Sequence, residues 1–129
     1  MRVAVLSVIL LSSCGGGPTS PTVLPANIER VTIGRITACI GGGSARTCMF
    51  EETATNTGPG CATNIRGTVR FLSSSGTDLS AASWSLSPAT RIVVVGEQFV
   101  YRATISGPES VISQIANYTE QFAWSSVQC

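Results

Sequence analysis

The chain has 129 residues, of which only 12% are charged: eight arginines stand against seven acidic residues, with no histidine and no lysine. Without histidine there is no Ser-His or Cys-His pair and no imidazole base, and without lysine no Schiff base. The formal charge of +1 and the scattered arginines provide no bulk field for nucleic acid or anionic lipid, so nucleic-acid binding is not expected.

The chain opens with Arg2 and an apolar run, Val3 to Leu11, that is too short to span a bilayer as a helix. Small residues, Ser12 and Ser13, then precede Cys14. The string Leu11-Ser12-Ser13-Cys14 resembles the cleavage and acylation site of bacterial lipoproteins. The resemblance implies that residues 1–13 are a removable signal peptide and that Cys14 carries the lipid. Residues 14–26, with Gly15-Gly16-Gly17-Pro18-Thr19-Ser20-Pro21-Thr22, read as a tether, since this composition offers no core. The expected location is the cell envelope. Gly15 stands where an aspartate would favour inner-membrane retention, so the outer membrane is favoured. Loss of Arg2 with the signal leaves seven arginines against seven acids, a net charge of zero. Residues 27–129 are enough for one domain of ordinary size.

Within that domain, apolar alternation and β-branched residues dominate, with turn signals every 8 to 15 residues. Val31, Ile33, Ile36, Ala38 and Ile40 predict a first strand with a bulge or kink at Gly34-Arg35. Arg46 to Asn56 predicts a second strand, ended by Thr57-Gly58-Pro59-Gly60. Ile65, Gly67, Val69 and Phe71 line one face of a third, and Leu79 to Leu86 forms a fourth. Ser87-Pro88-Ala89-Thr90 breaks the pattern before the apolar run Arg91–Val95 and a turn at Gly96-Glu97. Phe99, Tyr101, Ala103 and Ile105 alternate again. Ser106-Gly107-Pro108-Glu109 opens a short helical turn carrying Val111, Ile112 and Ile115. Tyr118 to Val127 is the last strand. Six or seven short strands with one helical turn predict an all-β, immunoglobulin-like two-sheet sandwich.

Once Cys14 is set aside, Cys39, Cys48, Cys61 and Cys129 remain, an even number that suits an oxidising compartment. Gly41-Gly42-Gly43-Ser44 is a hairpin loop that would bring Cys39 to Cys48. Cys61 with Cys129 follows by elimination. The loops enclosed are ten and 69 residues long. They correspond to about 2.5 and about 4 kcal/mol of stabilisation by chain entropy. A zinc site finds no closely spaced cysteine pair and no histidine, so no metal and no cofactor are expected.

Thr53-Ala54-Thr55-Asn56-Thr57-Gly58, Gly67-Thr68-Val69-Arg70-Phe71 with Gly76 and Leu79, and Val95-Gly96-Glu97-Gln98-Phe99 together resemble the FxLYD group of bacterial immunoglobulin-like domains, over residues 46–106. This chain differs in having Glu52 where glycine is common, Val95 where proline is usual, and no FxLYD string. The resemblance implies a binding or scaffolding module of the envelope and carries no catalytic residues.

The remaining candidates for chemistry are few. Glu51 and Glu52 are the one acidic pair, but neighbours on a strand face opposite ways, so one is expected in solvent and the other paired with an arginine. Asp78 beside Gly76-Thr77 suits local backbone hydrogen bonding rather than calcium. Asn117-Tyr118-Thr119 has glycosylation spacing that means little in a bacterial lipoprotein. Tyr118, Phe122 and Trp124 share parity, as do Phe99 and Tyr101. Most should be core, but Trp84, Tyr118 or Trp124, if exposed, could stack a sugar or anchor a protein partner. The expected function is a noncatalytic interaction or structural module of a membrane-anchored lipoprotein, with the membrane and an unidentified envelope protein or glycan as partners. The alternative is a glycan-binding or hydrolase-inhibiting lipoprotein: a coplanar exposed aromatic pair would favour the first and a protruding loop with a charged tip the second.

Overall fold

A computed structural model describes residues 21–129; the expected signal peptide, Cys14 and the first part of the tether lie outside the described residues. Seven strands and one short helix follow in the order β1 (Ile28–Arg30), β2 (Arg35–Gly42), β3 (Ala45–Asn56), β4 (Cys61–Leu72), β5 (Asp78–Ser85), β6 (Gln98–Gly107), α1 (Glu109–Ile112) and β7 (Asn117–Val127). In one antiparallel sheet β3 is central. β6 pairs along one of its edges from Thr55 to Arg46, while β1 and β2 share the other, β1 opposite Ala54–Asn56 and β2 opposite Ala45–Glu51. In the second sheet β4 lies between β5 and β7. With β1/β2, β3 and β6 at the A, B and E positions, and β5, β4 and β7 at C′, C and F, this is the strand order of an immunoglobulin-like sandwich.

Period-two alternation decides which side chains fill the space between the sheets. Cys48, Phe50, Glu52, Ala54 and Asn56 of β3 and Phe99, Tyr101, Ala103 and Ile105 of β6 are buried, and their neighbours are not. Ile65, Val69 and Phe71 of β4 and Ala82 and Trp84 of β5 face them. The sheets meet through aromatic rings: Phe50 lies edge-on to Phe71 at 5.4 Å, and Trp84 stacks on Tyr101 at 4.1 Å. Gly67, opposite Trp84 in register, leaves room for the indole; a Cβ there would sit 2.8 Å from the ring.

Both expected disulfides are present. Cys39 and Cys48 are register partners across the β2–β3 hairpin, with Cα atoms 4.0 Å apart. Cys61 at the start of β4 joins Cys129, fixing the end of β7. The hairpin turns through Gly43-Ser44, with Gly43 at φ 61°. The predicted first strand is in fact broken: Val31–Gly34 leaves the sheet, and the bulge falls between Ile36 and Ala38. The apolar run Arg91–Val95 contributes one buried side chain, Val93, through a single bridge to Ala62. The packed body begins ahead of residue 27: Ala26 is buried, its amide donates to Ser126 Oγ, and Trp124 Nε1 donates to its carbonyl. No helix among the described residues is long and apolar enough to cross a membrane.

Candidate functional site: a cleft over a buried acid cluster

The break between β1 and β2 opens one side of the sandwich. Val31 and Thr32 stay latched to β3, their amides donating to Thr53 O and Thr32 Oγ1 accepting from Thr53 N, but Ile33 swings out to 84% exposure. Tyr118, from the start of β7, reaches into the gap. Its hydroxyl oxygen accepts from the Gly34 amide at 2.6 Å and from Arg30 Nη1 at 3.3 Å. The resulting cleft of about 540 Å³ has Phe50 and Phe71 as its floor, Ile33, Ile36 and Ile115 as apolar walls, and Arg30 and Arg35 at its rim.

Beneath Gly34 lies a group that the sequence reading placed wrongly. Glu51 faces outward and pairs with Arg102 at 2.8 Å, but Glu52 is neither in solvent nor in a tight ion pair. Its side chain is fully covered, both carboxyl oxygens lack a hydrogen-bond partner, and the nearest cation, Arg30 Nε, is 3.8 Å away. The same Arg30 nitrogen lies 3.9 Å from Glu120 of β7, so the two glutamates converge from opposite sheets on one guanidinium. Tyr101 donates to Glu120 Oε2. Burial, reinforced by the charge of Glu120, pushes the Glu52 carboxyl up to about 7. Burial also raises Tyr101 and Tyr118, so both remain phenols. The hydrogen bond to Tyr118 holds Arg30 above its ordinary value.

Two convergent carboxyls are the raw material of acid–base chemistry, but here they are sealed: the side chains are 0% and 9% exposed. Gly34 packs over Glu52. A Cβ at Gly34 would lie 2.6 Å from Glu52 Oε2 and would overlap the Phe50 ring. No group of three or more metal-ligating side chains forms among the described residues.

The three aromatics named as possible contacts if exposed form no shared platform. Trp84 is core at 7% exposure. Tyr118 is half-buried in the cleft wall, and Trp124 is half-buried against Ala26. Asp78 pairs with Arg70 at 2.8 Å instead of bonding its own turn, where Ser73 Oγ accepts from the Thr77 amide. Beside the cleft runs a feature that sequence reasoning missed. Among the described residues β2 is exposed throughout and pairs only with β3, leaving its outer edge open, with Ile40 at 74% exposure. The run Ile36, Ala38, Ile40 held the signal, but the bulge between Ile36 and Ala38 resets the parity: Ile36 lies opposite the buried Phe50, whereas Ala38 and Ile40 lie opposite Met49 and Thr47 on the outer face.

No family model, no curated protein and no solved structure matches the chain.

Proposed function

We propose that the chain is a lipid-anchored protein of the bacterial envelope whose one domain is a noncatalytic binding module, taking an extended protein segment along the open edge of β2. The carrying observation is β2 itself: an eight-residue strand whose outer edge has no partner among the described residues, with Ile36 beside a cleft that can receive side chains and Ile40 exposed on the other face. Strand addition satisfies backbone donors and acceptors that water otherwise serves, and alternate side chains supply selectivity. Arg30 and Arg35 on the rim favour a segment with acidic residues flanking its apolar ones. The lipoprotein-like string at Leu11–Cys14, the two disulfides and the FxLYD-like stretch support an exported module. Glycan stacking draws no support from Trp84, Tyr118 and Trp124. Enzyme inhibition draws none from the β2–β3 tip, which is uncharged and pinned to α1 by Glu109.

The test joins two measurements on protein from the membrane fraction of its host. Non-reducing peptide mapping reads acylation of Cys14. A photo-crosslinking residue at Ile40, with one at Ser80 on the other sheet as control, reads the partner in intact cells. A discrete adduct at position 40 alone supports the reading. An acylated protein with no adduct there refutes the β2 site, and an unmodified Cys14 refutes the anchor.

A further inference from the structure

The two ends of the sandwich differ in polarity. At one end the β2–β3 turn, the Ser73–Thr77 loop and α1 present Ser44, Ser74, Ser75, Thr77 and Gln114. At the other, the segment before β1 and the loops after β3 and before β6 meet around Asn56, which is fully buried. Its side chain accepts from the amides of Asn27 and Gly58 and donates to the carbonyls of Gly60 and Val93. This end carries Val23, Leu24, Ile92, Val94 and Val95, each 49–50% exposed. Val95 stands at the tip of a turn closed by Glu97 N donating to Val94 O at 3.1 Å, with Gly96 at φ 79°. The charged side chains of that loop, Arg91 and Glu97, neutralise each other at 2.7 Å.

The apolar end is also the end from which the tether leaves. Cys14 precedes Pro21 by seven residues, which span at most about 25 Å when fully extended. A lipid on Cys14 therefore holds this end, where the tether joins, within about 25 Å of the bilayer. We infer that this end docks on the membrane: Val94 and Val95 seat among the lipid headgroups with Val23, Leu24 and Ile92 around them, and the domain stands end-on. The contact is apolar, not electrostatic, so it is indifferent to headgroup charge. Alone it is weak, but the short tether makes it intramolecular, which raises the effective concentration to the millimolar range or above. The β2 edge then runs away from the surface, its Gly42 end outermost. This inference rests on the acylation of Cys14 proposed above.

The test uses the full acylated chain reconstituted in phosphatidylcholine vesicles with brominated acyl chains, which quench nearby tryptophan. Val95→Trp puts the probe on the apolar end and Ser44→Trp on the polar end. The emission of Trp84 and Trp124 is subtracted using the unsubstituted chain. Docking predicts roughly twofold or greater quenching of the residue-95 probe and almost none of the residue-44 probe, since an interfacial contact lies within about 10 Å of the acyl chains. Equal quenching at both positions, in a sample whose Cys14 lipid is verified by mass, overturns the inference. If Cys14 proves unmodified the anchor reading fails by itself. The unlipidated full chain mixed with the same vesicles then decides the surface alone: selective quenching at position 95 sustains it, and none overturns it.

Discussion

Replacing Glu52 with glutamine should stabilise the protein above neutral pH and flatten its pH dependence. In the folded state the carboxyl is raised from its ordinary 4.5 to about 7, a rise of about 2.5, chiefly by burial and then by Glu120. At about 1.4 kcal/mol per pH unit, that difference corresponds to roughly 3 kcal/mol. The sign follows from proton counting. Between pH 4.5 and 7 the folded state holds a proton that the unfolded chain has released, so the stabilising contribution is complete below 4.5 and lost as pH rises through 7. The groups facing Glu52 do not mask the effect: Tyr101 and Tyr118 are shifted upward, away from this window, and Arg30 stays cationic. Glu97, lowered by its bond from Arg91, acts below 4.5 and in the opposite sense. Denaturant unfolding with the disulfides intact, from pH 5 to 8.5, should show the natural chain losing most of that 3 kcal/mol. The Glu52→Gln variant should hold nearly constant and exceed it at pH 8 by about 2–3 kcal/mol, or roughly 10–20 °C in Tm. A natural chain whose stability is flat or rises over pH 5 to 8, or a variant with the same slope as its parent, would refute the buried-carboxyl argument.

Asn56→Ala removes four side-chain bonds to the backbone of Asn27, Gly58, Gly60 and Val93 and should cost roughly 3–5 kcal/mol, with hydrogen exchange of the Asn27 and Gly58 amides rising ahead of global unfolding. Gly67→Ala drives a methyl to 2.7 Å from Gln121 O and 2.8 Å from the Trp84 ring; a loss of roughly 1–3 kcal/mol and an altered near-ultraviolet signal from Trp84 are expected. The double variants Cys39→Ala/Cys48→Ala and Cys61→Ala/Cys129→Ala should lose about 2.5 and about 4 kcal/mol, and denaturant midpoints in the reverse order would contradict the loop-length account.

Most of the architecture was legible because it rests on local rules. The parity of Ile65, Val69 and Phe71 and of Phe99, Tyr101, Ala103 and Ile105 named two inner faces, and three glycines between two cysteines named both a hairpin and a cross-strand disulfide. The same parity could have shown that Glu52, two residues from both Phe50 and Ala54, faces inward, and that Glu120, between Tyr118 and Phe122, does too. That the two acids meet could not be read, because it depends on how β3 and β7 stack across the sandwich, a relation with no sequence period. The exposure of β2 was hidden for a different reason. Ile36, Ala38 and Ile40 alternate like one buried face, but the bulge between Ile36 and Ala38 turns Ile40, opposite Thr47, to the outer face.

The cross-strand disulfide also sets a mechanical limit. A pull arriving through residue 21 is borne first by the bonds of Pro25, Ala26 and Asn27 and by the three register pairs of β1. Should these yield, the bonds of Val31 and Thr32 to Thr53 and of Gly34 to Tyr118 break next, and only then does β2 begin to peel from β3. Peeling stops at Cys39, covalently stapled to the central strand, after about 45 Å of chain from Ala26 has been drawn out. On this geometry the broken edge and its staple would act as an extensible leash with a hard stop: a chain held at that end would lengthen under load while β3, β6 and the second sheet keep their packing.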